Sequence, residues 1–87
     1  MSKNRTVFLL MAQYEKPLVE LSKVAGDYLG ISAKVAAERA SARSLPFPTQ
    51  RLAASQKSPW LVHVDDLAEY IESRRGVAKR EWERSQV

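Results

Sequence analysis

Residues 21–34 read LSKVAGDYLGISAK, and the reading of this stretch decides the fold. Leu21, Val24, Ala25, Tyr28 and Leu29 recur at helical spacing on one face. Ser22 is a residue type suited to an N-cap. Gly30 stops the helix, because glycine enters the left-handed region with little penalty. Ile31 follows as an apolar plug, and Ser32 opens a second helix as its N-cap. Residues 33–44 are rich in Ala, Lys, Glu and Arg, all good helix formers. Ala36 and Ala40 form an i, i+4 pair of small residues, so this face packs closely on its neighbour. Residues 22–44 therefore predict a helix-turn-helix. Many helical hairpins share this pattern, so its meaning rests on the flanking sequence.

Downstream, Leu45-Pro46-Phe47-Pro48 excludes helix and suits the start of an extended edge strand continuing to Leu52. Ala53–Pro59 is polar and turn-like. Trp60-Leu-Val-His-Val64 alternates and is β-branched, as a returning strand would be. Residues 45–64 thus predict a β-hairpin with SQKS (55–58) at its tip. Asp65 is the expected cap of a last helix over 65–84, with Asp66 and Glu69 early, where the helix dipole favours acids. Leu67, Ala68, Tyr70 and Ile71 supply its apolar stripe, and Gly76 either breaks or weakens it. Upstream, residues 1–5 are polar and expected to fray. Thr6–Tyr14 is apolar without a clean period, so strand and short buried helix both remain open until Pro17 ends the segment.

The order is helix, turn, helix, hairpin, helix. This predicts a single α+β, mainly helical domain over residues 1–87, a winged helix-turn-helix of the excisionase or MerR type. In that architecture SQKS becomes the tip of a wing, suited to phosphates or a groove edge.

Composition narrows the function classes. Eighty-seven residues support one modest core. There is no cysteine, so disulfides, thiol catalysis and cysteine-ligated zinc are excluded. No apolar run is long enough to span a bilayer, and a cytoplasmic location is expected. His63 is the lone histidine, with no second ligand at metal spacing, and no cofactor is expected. Asp65 and Asp66 read as helix-terminus acids rather than an acid–base pair, and no nucleophile constellation is present, so an enzyme is not expected.

The net charge is +4. Residues 32–59 carry five cations (Lys34, Arg39, Arg43, Arg51, Lys57) against one acid (Glu38), while the flanking thirds roughly balance. A local cationic surplus suits a polyanion, here double-stranded DNA. Lys34, Arg39 and Arg43 are candidates on the second helix, where Arg can grip guanine and Lys meets phosphate or guanine. Arg39 has an alternative place along the apolar seam. Arg51, Gln56 and Lys57 are candidates on the hairpin, with Lys57 the foremost. Arg51 has an acid on the last helix as an alternative partner. Trp60 is expected to anchor the hairpin to the core rather than to stack on a base.

Two segments also resemble those of a known family. Thr6-Val-Phe-Leu-Leu-Met-Ala-Gln-Tyr14 is similar to the opening of the pyocin activator (PrtN) family. Ser55-Gln-Lys-Ser58, followed by Leu61–Ile71, resembles it as well. The likeness covers about residues 6 to 75. It implies a small DNA-binding transcriptional regulator of the kind found in phages and prophages, with activation, repression and excision all open to it; the function expected here is activation of phage or bacteriocin genes. DNA, a second copy of the chain in a dimer or cooperative oligomer, and RNA polymerase are the expected partners. Two alternatives use the same residues: an excisionase-like recombination directionality factor, and a phage protein-interaction module working through the apolar N-terminal segment.

Overall fold

The structure is a computed structural model and describes residues 2–55 and 57–86. The chain runs α1 (Ser2–Tyr14), β1 (Leu18–Glu20), α2 (Leu21–Val24), a π-helical turn (Ala25–Leu29), α3 (Ala33–Ser41), β2 (Leu61–His63) and α4 (Val64–Ser85). It is mainly helical with one small antiparallel sheet.

The ambiguous N-terminal segment is a helix. It begins at Ser2, so residues 2–5 are helical rather than frayed. Val7, Leu10 and Tyr14 face the core, and Thr6 Oγ1 donates to Glu72 Oε2 of α4 at 2.6 Å. Pro17 leads out of α1 into β1.

The sheet differs from the expected hairpin. β2 pairs with β1, in the register Leu18↔His63, Val19↔Val62, Glu20↔Leu61. Val19 and Val62 oppose one another with no exposed surface and form the centre of the core. Backbone bonds from Leu21 N to Trp60 O and from Val64 N to Pro17 O, both 2.9 Å, extend the ladder at each end. Residues 45–52 do not form a strand. Their contribution is one antiparallel bridge, in which Gln50 and Leu61 exchange hydrogen bonds of 2.9 and 2.8 Å. The two prolines remove donors on either side of Phe47. Phe47 turns inward instead and meets Tyr70 edge-on, with ring centroids 5.5 Å apart at 68°.

α2 begins at Leu21 after Glu20, so Ser22 lies inside the helix and is not its cap. Leu21, Val24 and Ala25 are buried as their spacing predicts. Tyr28 is not; it is 41 % exposed and its hydroxyl donates to Gln13 Oε1 at 3.0 Å. Tyr14 Oη donates to Asp27 Oδ2 at 2.6 Å. Burial, together with the Asp27 carboxylate, holds the Tyr14 hydroxyl above its ordinary range, so it keeps its proton. The two tyrosines thereby tie α1 to the π-helical turn.

Gly30 adopts φ 67°, as its stop role requires, and Ser32 Oγ accepts from Val35 N at 3.2 Å as the cap of α3. Ala36 and Ala40 are buried. α3 ends at Ser41 rather than Ser44, because the chain turns there in a Schellman arrangement. Ser44 N donates to Arg39 O at 2.9 Å and Arg43 N to Ala40 O at 3.1 Å, with Arg43 at φ 56°. At the far end His63, not Asp65, caps α4; its Nδ1 accepts from Asp65 N at 3.0 Å. That bond needs the Nδ1 lone pair, so it excludes the 3.9 Å ion pair to Asp65 Oδ2 that a protonated Nδ1 would make. Asp65 and Asp66 occupy the first turn. Gly76 does not break the helix, which runs on through all 22 residues.

Candidate nucleic-acid interface

α3 presents its outward face opposite Ala36 and Ala40. Lys34 lies in its first turn and is exposed. At about 100° per residue, Lys34, Glu38 and Ser41 share this face, while Arg39 points roughly 140° away from Lys34. Arg39 is exposed, on the other flank of the helix.

The Gln50–Leu61 bridge brings the 49–60 segment alongside α3. Two grooves record the approach. One, of about 780 Å³, is bordered by Ser41 and Arg43 on the α3 side and by Thr49, Arg51 and Trp60 opposite. The second, of about 320 Å³, runs between Ala33 and Ala37 of α3, Ser22 of α2, and Arg51 and Lys57. Arg51 borders both. Its guanidinium lies 4.3 Å from the Trp60 ring centroid, a cation–π contact that replaces the alternative pairing with an acid of α4. Trp60 is half-buried against the core, as expected of an anchor. Lys57 is exposed, and its backbone N–H donates to Ser55 Oγ at 3.1 Å. Gln56 lies outside the described residues.

The structure thus brings Arg43, Arg51 and Lys57 to the side of α3 that faces the 49–60 segment, with Lys34 on the adjoining outward face. Arg39 stands apart. Ser22 and Thr49 are groove residues that sequence reasoning did not single out. The first was read as a cap, and its place beside Lys57 depends on a strand pairing invisible in the local sequence.

Arg43 is a non-glycine residue in the left-handed region at the edge of the larger groove. Such a conformation costs an L-residue about 1 kcal/mol that glycine does not incur. Arg43→Gly is expected to raise the unfolding free energy by about 1 kcal/mol in urea titration. Its effect on polyanion binding should run the opposite way. A variant that gained stability and lost no affinity would show that the arginine serves only the turn.

Among the described residues no group of three or more His, Asp or Glu side chains is placed to hold a metal ion. No helix among them is long and apolar enough to cross a membrane.

Fold and surface define a small helix-rich domain whose cationic surplus gathers beside one helix. The chain belongs to the family described as pyocin activator protein PrtN, whose family model matches residues 6–78. It is a family of regulatory proteins. No curated protein and no solved structure matches the chain.

Proposed function

We propose that the chain is a winged helix-turn-helix transcriptional activator of phage or bacteriocin genes that binds double-stranded DNA in the cytoplasm. α3 lies in the major groove, and residues 51–58 form a wing against the backbone. The observation that carries this reading is the Gln50–Leu61 bridge. It sets Arg51 and Lys57 beside the helix that follows the Gly30 turn. The family supports regulation of transcription. RNA polymerase is the further partner an activator requires.

Base edges are met by the first turn of a recognition helix, and phosphates by the wing. Lys57→Ala should therefore weaken binding to every duplex about equally and lower the salt slope by roughly one unit. Lys34→Ala should cost about 1–3 kcal/mol more on the preferred site than on scrambled duplex. Arg39→Ala, on the far flank, should change neither affinity by more than about 0.5 kcal/mol. The measurement is a pair of titrations per variant, with the preferred site first selected from a random duplex library. An Arg39→Ala loss larger than that of Lys34→Ala would place the DNA on the opposite flank of α3. An unchanged Lys57→Ala would reduce the 51–58 segment to a solvent-exposed turn.

A further inference from the structure

α1 has two apolar faces and the domain covers one of them. Val7, Leu10 and Tyr14 pack inward. On the opposite side Phe8 is 70 % exposed and Leu9 54 %, with Met11 and Ala12 exposed beside them. Arg5 and Glu15 are exposed at the two ends of this face, and neither makes an ion pair among the described residues.

The spacing of these residues is self-complementary. Arg5, Phe8 and Ala12 follow one another at intervals of three and four residues, seam positions of a two-helix coiled coil, and Glu15 stands three residues further on as the first residue beyond α1, at φ 63°. Two copies of α1 laid antiparallel about a two-fold axis at the level of Leu10 bring each seam residue opposite a suitable mate. Arg5 meets the partner's Glu15. Phe8 covers the partner's Ala12, large on small. Leu9 meets the partner's Leu9 on one side of the seam, and Met11 meets the partner's Met11 on the other. The Arg5–Glu15 and Phe8–Ala12 contacts each occur twice, and the Leu9 and Met11 contacts lie across the two-fold axis, as an isologous interface demands. A parallel arrangement would set Arg5 against the partner's Arg5 and Phe8 against the partner's Phe8. The charges and the sizes both select the antiparallel pair.

We propose that the outward face of α1, centred on Phe8 and Ala12, is the contact surface for a second copy of this chain, held as an antiparallel α1 pair. α1 is 13 residues long, about 20 Å of helix, so the interface is small. The dimer dissociates at roughly micromolar concentration, the regime of small interfaces. The pairing uses no residue of the proposed DNA surface and holds whether or not the chain binds DNA.

Sedimentation equilibrium of the full chain without DNA, from about 1 to 200 µM, tests it. The native chain should pass from monomer to dimer across that range. Phe8→Arg should remain monomeric throughout, with a thermal melt unchanged from that of the native chain at concentrations below the dimer's dissociation constant, since Phe8 lies outside the core. Arg5→Glu should weaken the dimer at least roughly tenfold by setting like charges opposite each other at both ends. Arg5→Glu combined with Glu15→Arg should recover the native dissociation constant within about threefold. Glu15 adopts φ 63°, a strain that arginine and glutamate share, so the exchange is neutral to the fold. A native chain that stays monomeric over the whole range overturns the proposal. So does a dimer that survives Phe8→Arg, and so does a double variant no tighter than Arg5→Glu alone. Loss of the dimer on Trp82→Ala with Phe8→Arg unaffected would assign self-association to the free end of α4, where Trp82 is 61 % exposed, and would overturn it as well.

Discussion

Ala36→Asp is expected to abolish the cooperative thermal melt. Ala36 has no exposed surface, and it packs with Ala40 on the inner face of α3 against the core of Val19, Val24 and Val62. None of the buried residues around it is polar or charged. A carboxylate placed there has no counter-charge, and the cost of an unpaired buried charge is roughly 3–5 kcal/mol. That is comparable with the whole stability of a domain this size. Ala33→Asp is the control. Ala33 is the first residue of α3 and is exposed, where an acid favours the helix dipole, so its melt should match or slightly exceed the native one. Circular dichroism of both variants suffices. A native-like melt for Ala36→Asp would mean that α3 is rotated and that its outward face carries other side chains.

The second large effect concerns salt. If the surface formed by Lys34, Arg43, Arg51 and Lys57 binds DNA, the protein makes roughly four to six phosphate contacts, and log K should fall with log salt at a slope of about −4 to −5. Between about 50 and 200 mM salt that is a roughly 250- to 1000-fold loss of affinity. Fluorescence anisotropy on a labelled duplex at four salt concentrations measures it. A flat response would remove the nucleic-acid reading, and the cationic surplus would then be no more than a solvated surface.

The second, third and last helices were legible because their signals are local, whereas α1, apolar without a clean period, stayed open between strand and helix. Gly30 and Ser32 mark the turn through backbone conformation and capping, and the buried positions of α3 and α4 repeat at 3.6 residues. The sheet was not. Leu18–Glu20 is three residues long, too short for an alternating pattern, and its partner lies far along the chain. Residues 45–52 were misread as a strand because prolines at 46 and 48 are compatible with an edge, whereas the burial of Phe47 against Tyr70 decides their course. The end of α3 was placed three residues late because the left-handed residue that terminates it is Arg43, where glycine would have announced the stop. For the candidate interface, residue type was informative and placement was not. Charge alone marks Lys34, Arg39, Arg43, Arg51 and Lys57. Helical phase sets Arg39 apart from Lys34, and only the sheet shows that Ser22 borders the same groove as Lys57.

The pairing of β1 with β2 also has a kinetic consequence. Between Glu20 and Leu61 lie about forty residues whose ends must meet before the ladder forms, and closing such a loop carries an entropic cost that grows with the logarithm of its length. The helices inside it nucleate in microseconds, whereas the non-local strand contact is the slow step. Folding is therefore expected to wait on Val19 meeting Val62. The same closure makes the domain indivisible. A fragment starting at Leu21 keeps every residue of α2, the π-helical turn, α3 and the basic segment, yet it leaves the β1 side of β2 open with Val62 uncovered, so this portion cannot be transplanted without the N-terminal helix and strand.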